Sequence, residues 1–465
     1  MPVNTVHPEY MEYADKWRRT RAAANSDVDR DEYLPAPFKD TEPERYKAYR
    51  DRAYFLGVTG RTQKAMGGMV FRKPAVYDLP SELEYLVEDF DGSGQSAEQI
   101  AKDCLAGLLQ TRRQLLLTDY PDAGEGLTAE QERLLKLRPT IASYTAESLI
   151  NWRWAGVNGQ RKLVLAVLRE SDNKADDEFQ HDYKTVYRVL RLTDGVYTQQ
   201  MYDDSLDPIT EPYAPRMAGG GYFDRIPLHG VRELENPPLY DIAQTNLAHY
   251  RNIADLEDAA YVVGQPMVHI DIGQTTPETW KEHNPDGIKF GSRNGVVTQG
   301  GSLDLKQASE NNLIRQVKQD KEQEMIMLGA QLITRGGQAQ TAEAERLQAG
   351  AEASVLDTLV NDLSEDMEAA IEDAALFIGV NPESVSYQLN TDYWEKGLDP
   401  QTFMAVVQGY QTNLYAQVDA LNMIRKGKIE LDSERTDDDI QQDVADNLLN
   451  DNVGLELNNQ GGRSD

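Results

Sequence analysis

The sequence predicts an α+β protein, mainly helical, and three observations carry that prediction. Apolar residues recur at spacings of three and four through 239–263, 309–333 and 342–378. β-Branched and aromatic runs crowd 161–202, and stretches rich in Gly and Pro punctuate the chain between such segments. At 465 residues the chain exceeds what one hydrophobic core serves, so two or more domains or subdomains are expected.

Helix signals dominate the first part. Thr41, Glu42, Pro43 and Glu44 offer an N-cap, a first-turn proline and a capping-box glutamate ahead of Tyr46, Tyr49, Ala53 and Tyr54, which predicts a helix of about 15 residues. Pro80 and Ser81 open a second, with Leu83, Leu86, Val87 and Phe90 on one stripe; Ser96 to Gln99 caps a third that carries Ile100, Leu105, Leu108 and Leu109. Gln114 to Thr118 reads as a short buried strand closed by a turn at Asp119, Tyr120, Pro121 and Asp122. From Arg161 onward RKLVLAVLRE, YKTVYRVLRL and VYTQQMY are strands, with Thr193-Asp194-Gly195 as a tight hairpin, so an antiparallel β-subdomain is expected over about 152–225. A Pro- and Gly-rich loop follows, and a subdomain boundary is placed near Glu235.

The segment 239–378 is the most informative. An amphipathic rod over 239–263 is stopped at Gln265-Pro266. A compact insert with short strands MVHIDI, GIKFGS and GVVTQ, and a helical turn at Thr276-Pro277-Glu278, leads to a second rod from Ser309. In that rod Arg315, Lys318 and Lys321 interleave with Asp320, Glu322 and Glu324, so its charges nearly cancel. Thr334 to Thr341 is a polar loop made flexible by Gly336 and Gly337, and a very long helix then runs to Gly379. A further helix is expected after Asp399-Pro400, through Phe403, Val406, Tyr410, Leu414 and Leu421. From Lys428 the tail carries eleven acidic against three basic residues and is expected to be disordered.

Composition and motifs exclude several functions. With 47 Lys and Arg against 78 Asp and Glu, the net charge of −31 repels nucleic acid and anionic membrane unless cations gather locally. Cys104, the sole cysteine, sits in an apolar stretch and reads as a buried small hydrophobe; a disulfide within the chain is excluded. The N-terminus lacks the apolar core of a signal peptide and no run reaches membrane-span length, so a soluble, intracellular product is expected. Asp89-Phe90-Asp91-Gly92-Ser93-Gly94 copies the start of a calcium EF-hand loop, but the closing position is Ile100 and Glu98 lies two places early, which favours a plain turn. His7, His181, His229, His249, His269 and His283 show no metal-ligand spacing. Neither Gly57 to Lys64 nor Gly67-Gly68 meets the P-loop pattern, and no nucleophile elbow is present, so no catalytic, cofactor-binding or metal residue is assigned. Trp152 and Trp154 either pack a strand or stack on bases; Arg335 is either a solvated loop residue or a phosphate contact.

The stretches MPVNTVHPEY, GRTQKAMGGMVFRKP, DFDGSGQS, QLLLTDYP, YTAESLINWRW, PPLYDIAQTNLAHYRNIADLEDAAYVVGQP, MLGAQLIT and QTAEAERL, spread over 1 to about 380, resemble the portal proteins of tailed double-stranded DNA bacteriophages, in particular a portal-like family once labelled a domain of unknown function. The resemblance implies a homo-oligomeric ring of about twelve subunits at one capsid vertex around a DNA channel. On it, 1–238 is the wing, 239–263 and 309–333 the stem helices, 264–308 the clip, 334–341 the tunnel loop, 342–380 a long wing helix, and 381–427 the crown helices; the acidic 428–465 lies outside the match. It also implies candidate residues: Arg335, Gly336, Gly337, Gln338 and Gln340 in the tunnel loop, Arg315, Lys318 and Lys321 facing the channel, and Trp280, Lys281 and Lys289 for partner binding in the clip. The implied partners are double-stranded DNA bound without sequence preference, the terminase large subunit, a head-tail adaptor, and major capsid and scaffolding proteins, with no membrane. The implied location is the virion, after assembly in the host cytoplasm. A non-conducting structural connector or capsid protein is the alternative, and a metal-dependent nuclease hidden among the carboxylates a more distant one.

Overall fold

The computed structural model describes residues 2–36, 41–120, 138–157, 159–175, 177–218, 220–263, 267–271, 276–283, 285, 302–306, 312–333 and 354–393. Met1–Thr391 forms one compact unit and Asp392–Asp465 another, of which only Asp392 and Tyr393 are among the described residues. The described chain combines helices with four sheets, so the α+β class holds.

Helices come first. Helix α1 (Pro8–Asn25) starts with Pro8 in the first turn, and the His7 ring accepts the Glu9 N–H at 3.3 Å, an N-cap made by an imidazole. A short α2 (Arg30–Tyr33) and α3 (Pro43–Arg52) follow. The latter is shorter than the expected helix because its chain turns extended at Ala53, and Glu42, not Thr41, is its N-cap residue. Helix α4 (Val58–Val70) contains three glycines, Gly60, Gly67 and Gly68. A Cβ at Gly60 would collide with the Ala24 carbonyl oxygen, so glycine there is what lets α1 and α4 touch.

After the three-residue strand β1 (Val76–Asp78) the expected helix over 81–90 is only a 3-10 turn, Glu84–Val87. Leu83, Leu86 and Phe90 are buried, but one such turn is enough to bury them. The acidic loop behind it is a braced turn: Asp91 accepts from Ser93 N at 2.9 Å, Asp89 from Gly94 N at 2.8 Å, and Asp89 also pairs with Arg138. Helix α5 (Ala97–Thr111) is capped by Ser96, whose hydroxyl accepts from Gln99 N at 3.2 Å.

Strand β2 (Gln114–Asp119) lies between β3 (Thr140–Thr145) and the two-residue β8 (Leu228–His229). Strands β4 (Leu149–Val157), β5 (Gln160–Asn173), β6 (Tyr183–Thr193) and β7 (Val196–Tyr202) form an antiparallel meander. The β6–β7 turn has Asp194 at φ 51° and Gly195 at φ 79°, the paired positive dihedrals of a type I′ turn, which suits the twist of the strands. Arg188 on β6 bonds Glu170 on β5 at 2.6 Å and Asp119 on β2 at 3.1 Å, tying the two sheets together. Over this meander α1 lays Tyr10 and Trp17, which share a core with Leu163, Ala166, Leu190, Tyr197 and Phe223.

The remaining elements are α6 (Tyr240–Val263), β9 (Met267–Asp271), α7 (Pro277–His283), β10 (Ser302–Lys306), α8 (Asn312–Ile333), α9 (Val355–Ile378), a 3-10 turn Pro382–Ser384 and β11 (Ser386–Gln388). Ala243, Leu247, Tyr250 and Ala254 of α6 share a core with Ala23, Tyr33, Leu34, Tyr49 and Ala53, so elements on either side of Glu235 pack together. Of the expected helix over 342–378, residues 342–353 lie outside the described residues, and the described part is α9, which begins at Val355. Ser354 accepts from Asp357 N at 3.0 Å and Asp357 from Ser354 N at 3.2 Å, a reciprocal box that fixes the N-terminus there. Gly379 at φ 75° closes its other end. Residues 381–388, expected as the start of a helical region, instead hold the 3-10 turn and β11, which pairs with β1. The expected helix after residue 399 and the acidic tail lie outside the described residues.

Candidate functional site

The candidate site is the pair formed by α6 and α8, with the antiparallel ribbon of β9 and β10 at one end. Met267 opposes Lys306 and Asp271 opposes Ser302, so the strand that leaves α6 returns beside the one that enters α8. At 24 and 22 residues the helices are about 36 and 33 Å long.

Polar groups hold them together. His249 of α6 is fully buried, and its Nε2 lies 3.2 Å from Glu322 Oε1 on α8. Lys318 Nζ reaches the same carboxylate oxygen at 3.1 Å, and Lys321 Nζ donates to Asn252 Oδ1 on α6. Burial pushes the His249 imidazole below its ordinary range, against the pull of Glu322 and with the help of Lys318 and Lys321. Burial likewise lowers the Lys321 ammonium. Met325 of α8 is buried as well.

The first helix of the pair is also tied to the body. Asn246 accepts from Thr59 N at 3.1 Å and Thr59 Oγ1 at 3.0 Å and donates to Leu56 O at 2.8 Å. Tyr49 donates to Asp255 at 2.9 Å; Arg45 and Arg52 both pair with Asp258. On α8 the outward side is different: Leu313, Ile326 and Met327 are each more than half exposed.

Of the residues singled out from sequence, Lys318 pairs with Glu322 and Lys321 bonds Asn252 within the helix pair. Arg315 is exposed on α8. Trp280 and Lys281 sit together on α7, half-buried and exposed respectively, in a helix whose Thr279 N–H is accepted by Thr276 Oγ1 at 3.3 Å. Lys289 and the loop residues Arg335, Gly336, Gly337, Gln338 and Gln340 lie outside the described residues. Trp152 is buried with its ring stacked on His7 at 3.9 Å and under Arg113 at 4.2 Å, whereas Trp154 is partly exposed beside Arg161. Among the described residues no group of three or more His, Cys, Asp or Glu is arranged to hold a metal, and no helix is long and apolar enough to cross a membrane.

One feature escaped the sequence reading. Asp362, Asp366 and Asp373 on α9 receive Arg112 at 2.7 Å, Arg232, and the pair Arg225 and His229, the latter at 2.8 Å. Between them Thr118 Oγ1 donates to Ala370 O at 2.8 Å. Burial raises the Asp366 carboxyl against the pull of Arg232. Burial also disfavours the Arg232 charge, but Asp366 and Asp362 outweigh it and the guanidinium is raised; since arginine keeps its proton, we take the pair as ionised. The signal was present as acids at 362, 366 and 373, one helical stripe coinciding with the apolar face.

Residues 238–378 match the family described as Domain of unknown function (DUF4055). No curated protein matches the chain. Among solved structures, the chain is similar to a component of the virion of a native gene transfer agent (GTA) particle, with 12% identity and a TM-score of 0.41 over 87% of this chain and 98% of that one. It is similar too to a component of the neck of an empty GTA particle, with 13% identity and a TM-score of 0.41 over the same shares.

Proposed function

We propose that this protein is the portal protein of a tailed double-stranded DNA phage. It forms a homo-oligomeric ring of about twelve copies at one capsid vertex, conducts DNA during packaging and ejection, and docks the terminase motor and later the head-tail adaptor. The observation that carries the reading is the antiparallel helix pair α6 and α8 with the β9–β10 ribbon at its end, lying inside the segment 238–378 that matches DUF4055. Two long helices, the first tied to the body, with a small ribbon between them in the chain, suit a stem and a partner-binding clip.

The electrostatics agree with a conduit. Each strongly neutralised phosphate releases counterions and adds affinity, which stalls a moving duplex. A chain of net charge −31 whose α8 lysines are spent inside the helix pair presents walls of low affinity. Arg335, Gln338 and Gln340 then supply transient backbone contacts from the tunnel loop, and a separate terminase supplies the ATP hydrolysis; the portal itself catalyses no reaction. Electron microscopy of the purified protein tests this. A closed ring with an open axial channel is expected; a stable monomer, or a ring without a channel, defeats it, the second favouring a non-conducting connector. Magnesium-dependent DNA cleavage by the purified chain would replace the reading with a nuclease.

A further inference from the structure

The small sheet of β1 and β11 has one covered edge and one open edge. On the covered side, Tyr387 N donates to Glu368 Oε2 at 2.9 Å and Leu389 N to Ser364 Oγ at 3.1 Å, so α9 takes up the outer backbone groups of β11. Tyr77 stands directly opposite Tyr387. Because the Tyr387 N–H is turned toward α9, the two tyrosines are a non-hydrogen-bonded pair, and the Tyr77 N–H and C=O are directed to the outer edge of β1. Among the described residues no strand pairs there, and all of β1 is exposed, Val76 by 75%.

Two cavities adjoin that edge and share Tyr77, Leu79 and Val87. The smaller, about 250 Å³, is walled by Leu86, Phe90 and Ile371. The larger, about 650 Å³, is lined by Asp78, Glu84, Glu88 and Asp89 against one cation, Arg138, which Asp89 already engages. Asp78, Glu84 and Glu88 are exposed and make no ion pair among the described residues.

We propose that the outer edge of β1 takes up an extended segment of another protein as a third strand, with an apolar side chain in the smaller cavity and a Lys or Arg over the larger. The open backbone groups call for a polypeptide, and unpaired carboxylates beside an apolar hole call for a basic and an apolar side chain on one face, two residues apart. This does not rest on the portal reading: a chain that stays monomeric and binds the segment sinks that reading and leaves this one standing.

The test uses the full chain and a fluorescein-labelled peptide, Ser-Thr-Val-Thr-Lys-Thr-Ser. Saturable binding is expected, with protection of the Tyr77 amide from hydrogen exchange. Affinity falls by about tenfold or more when Glu replaces Lys, when the backbone amide of that Lys, which shares its face and N–H direction with Val, is N-methylated, and in the variant Asp78→Lys, Glu84→Lys, Glu88→Lys. The peptide controls stand on the unmodified chain even if that variant fails to fold. The proposal is overturned by absence of saturable binding up to about 1 mM, by equal binding of the Glu or N-methylated peptide, or by undiminished binding to the folded variant. Self-association of the chain lost in the same variant assigns the edge to a second copy and overturns it too.

Discussion

His249 and Glu322 face each other at 3.2 Å across the α6–α8 pair, one ring nitrogen engaged and the other, Nδ1, buried without a partner among the described residues. Burial holds the imidazole below its ordinary range against the pull of Glu322, and this makes the helix pair sensitive to acid. A histidine with a depressed folded-state value contributes stability that is present above about pH 6.5, its unfolded value, and lost as pH falls through the folded value. The melting temperature is therefore expected to drop between pH 7.5 and pH 5, and His249→Gln to flatten that drop. His7 is lowered as well, by burial and by Arg113, so the flattening is partial; an unchanged slope in the variant removes the assignment.

Asp373 on α9 is fully buried between His229 and Arg225. Asp373→Asn keeps the volume but withdraws the charge, leaving a half-buried imidazole and a guanidinium to find other partners. Arg225 is partly exposed and rehydrates, so the cost is that of one charge-assisted network, about 1–3 kcal/mol. Urea denaturation should show the midpoint fall with little change in slope. A midpoint equal to the parent's would mean the seam contributes nothing net.

Glycines in α4 are predicted to respond with opposite signs. A Cβ at Gly60 meets the Ala24 carbonyl oxygen, which is backbone and cannot swing away, so Gly60→Ala pushes α1 and α4 apart and destabilises by about 1–3 kcal/mol. Nothing lies within 4 Å of the corresponding position at Gly67, and Gly67→Ala gains helix propensity, up to about 1 kcal/mol. Thermal melts of the two variants side by side decide it; equal shifts would contradict the packing argument.

Those glycines also explain part of what the sequence hid. The periodicity through α5, the strand Gln114–Asp119 and the Asp194-Gly195 hairpin was legible because cap, alternation and turn chemistry agree locally. Helix α4 was not, since three glycines argue against a helix unless one knows that Ala24 crosses there. Helix α1 hid its start behind a histidine cap. The pairing of β1 with β11 joins residues about 310 apart through three positions each, too short for alternation to register. In the helix pair, the rods were readable from their apolar stripes, but the partners of Lys318 and Lys321 were not: a lysine near acids looks solvated until the partner helix brings Asn252 to Lys321 and His249 to the Glu322 that Lys318 holds.

Cys104 offers the most direct check on the core. The thiol is fully buried in α5, and burial pushes it up to about 12. At pH 8 the thiolate, which is the reactive form, is then a minute fraction of the folded protein, and reagent access is blocked as well. In the unfolded chain the thiol returns to about 8.5 and reacts readily. Ellman's reagent at pH 8 should release close to no colour from the native protein and one equivalent per chain in guanidinium. Because reaction requires opening of the α5 core, its rate against denaturant reports the stability of that region; prompt stoichiometric reaction of the native protein would place Cys104 outside the packed interior.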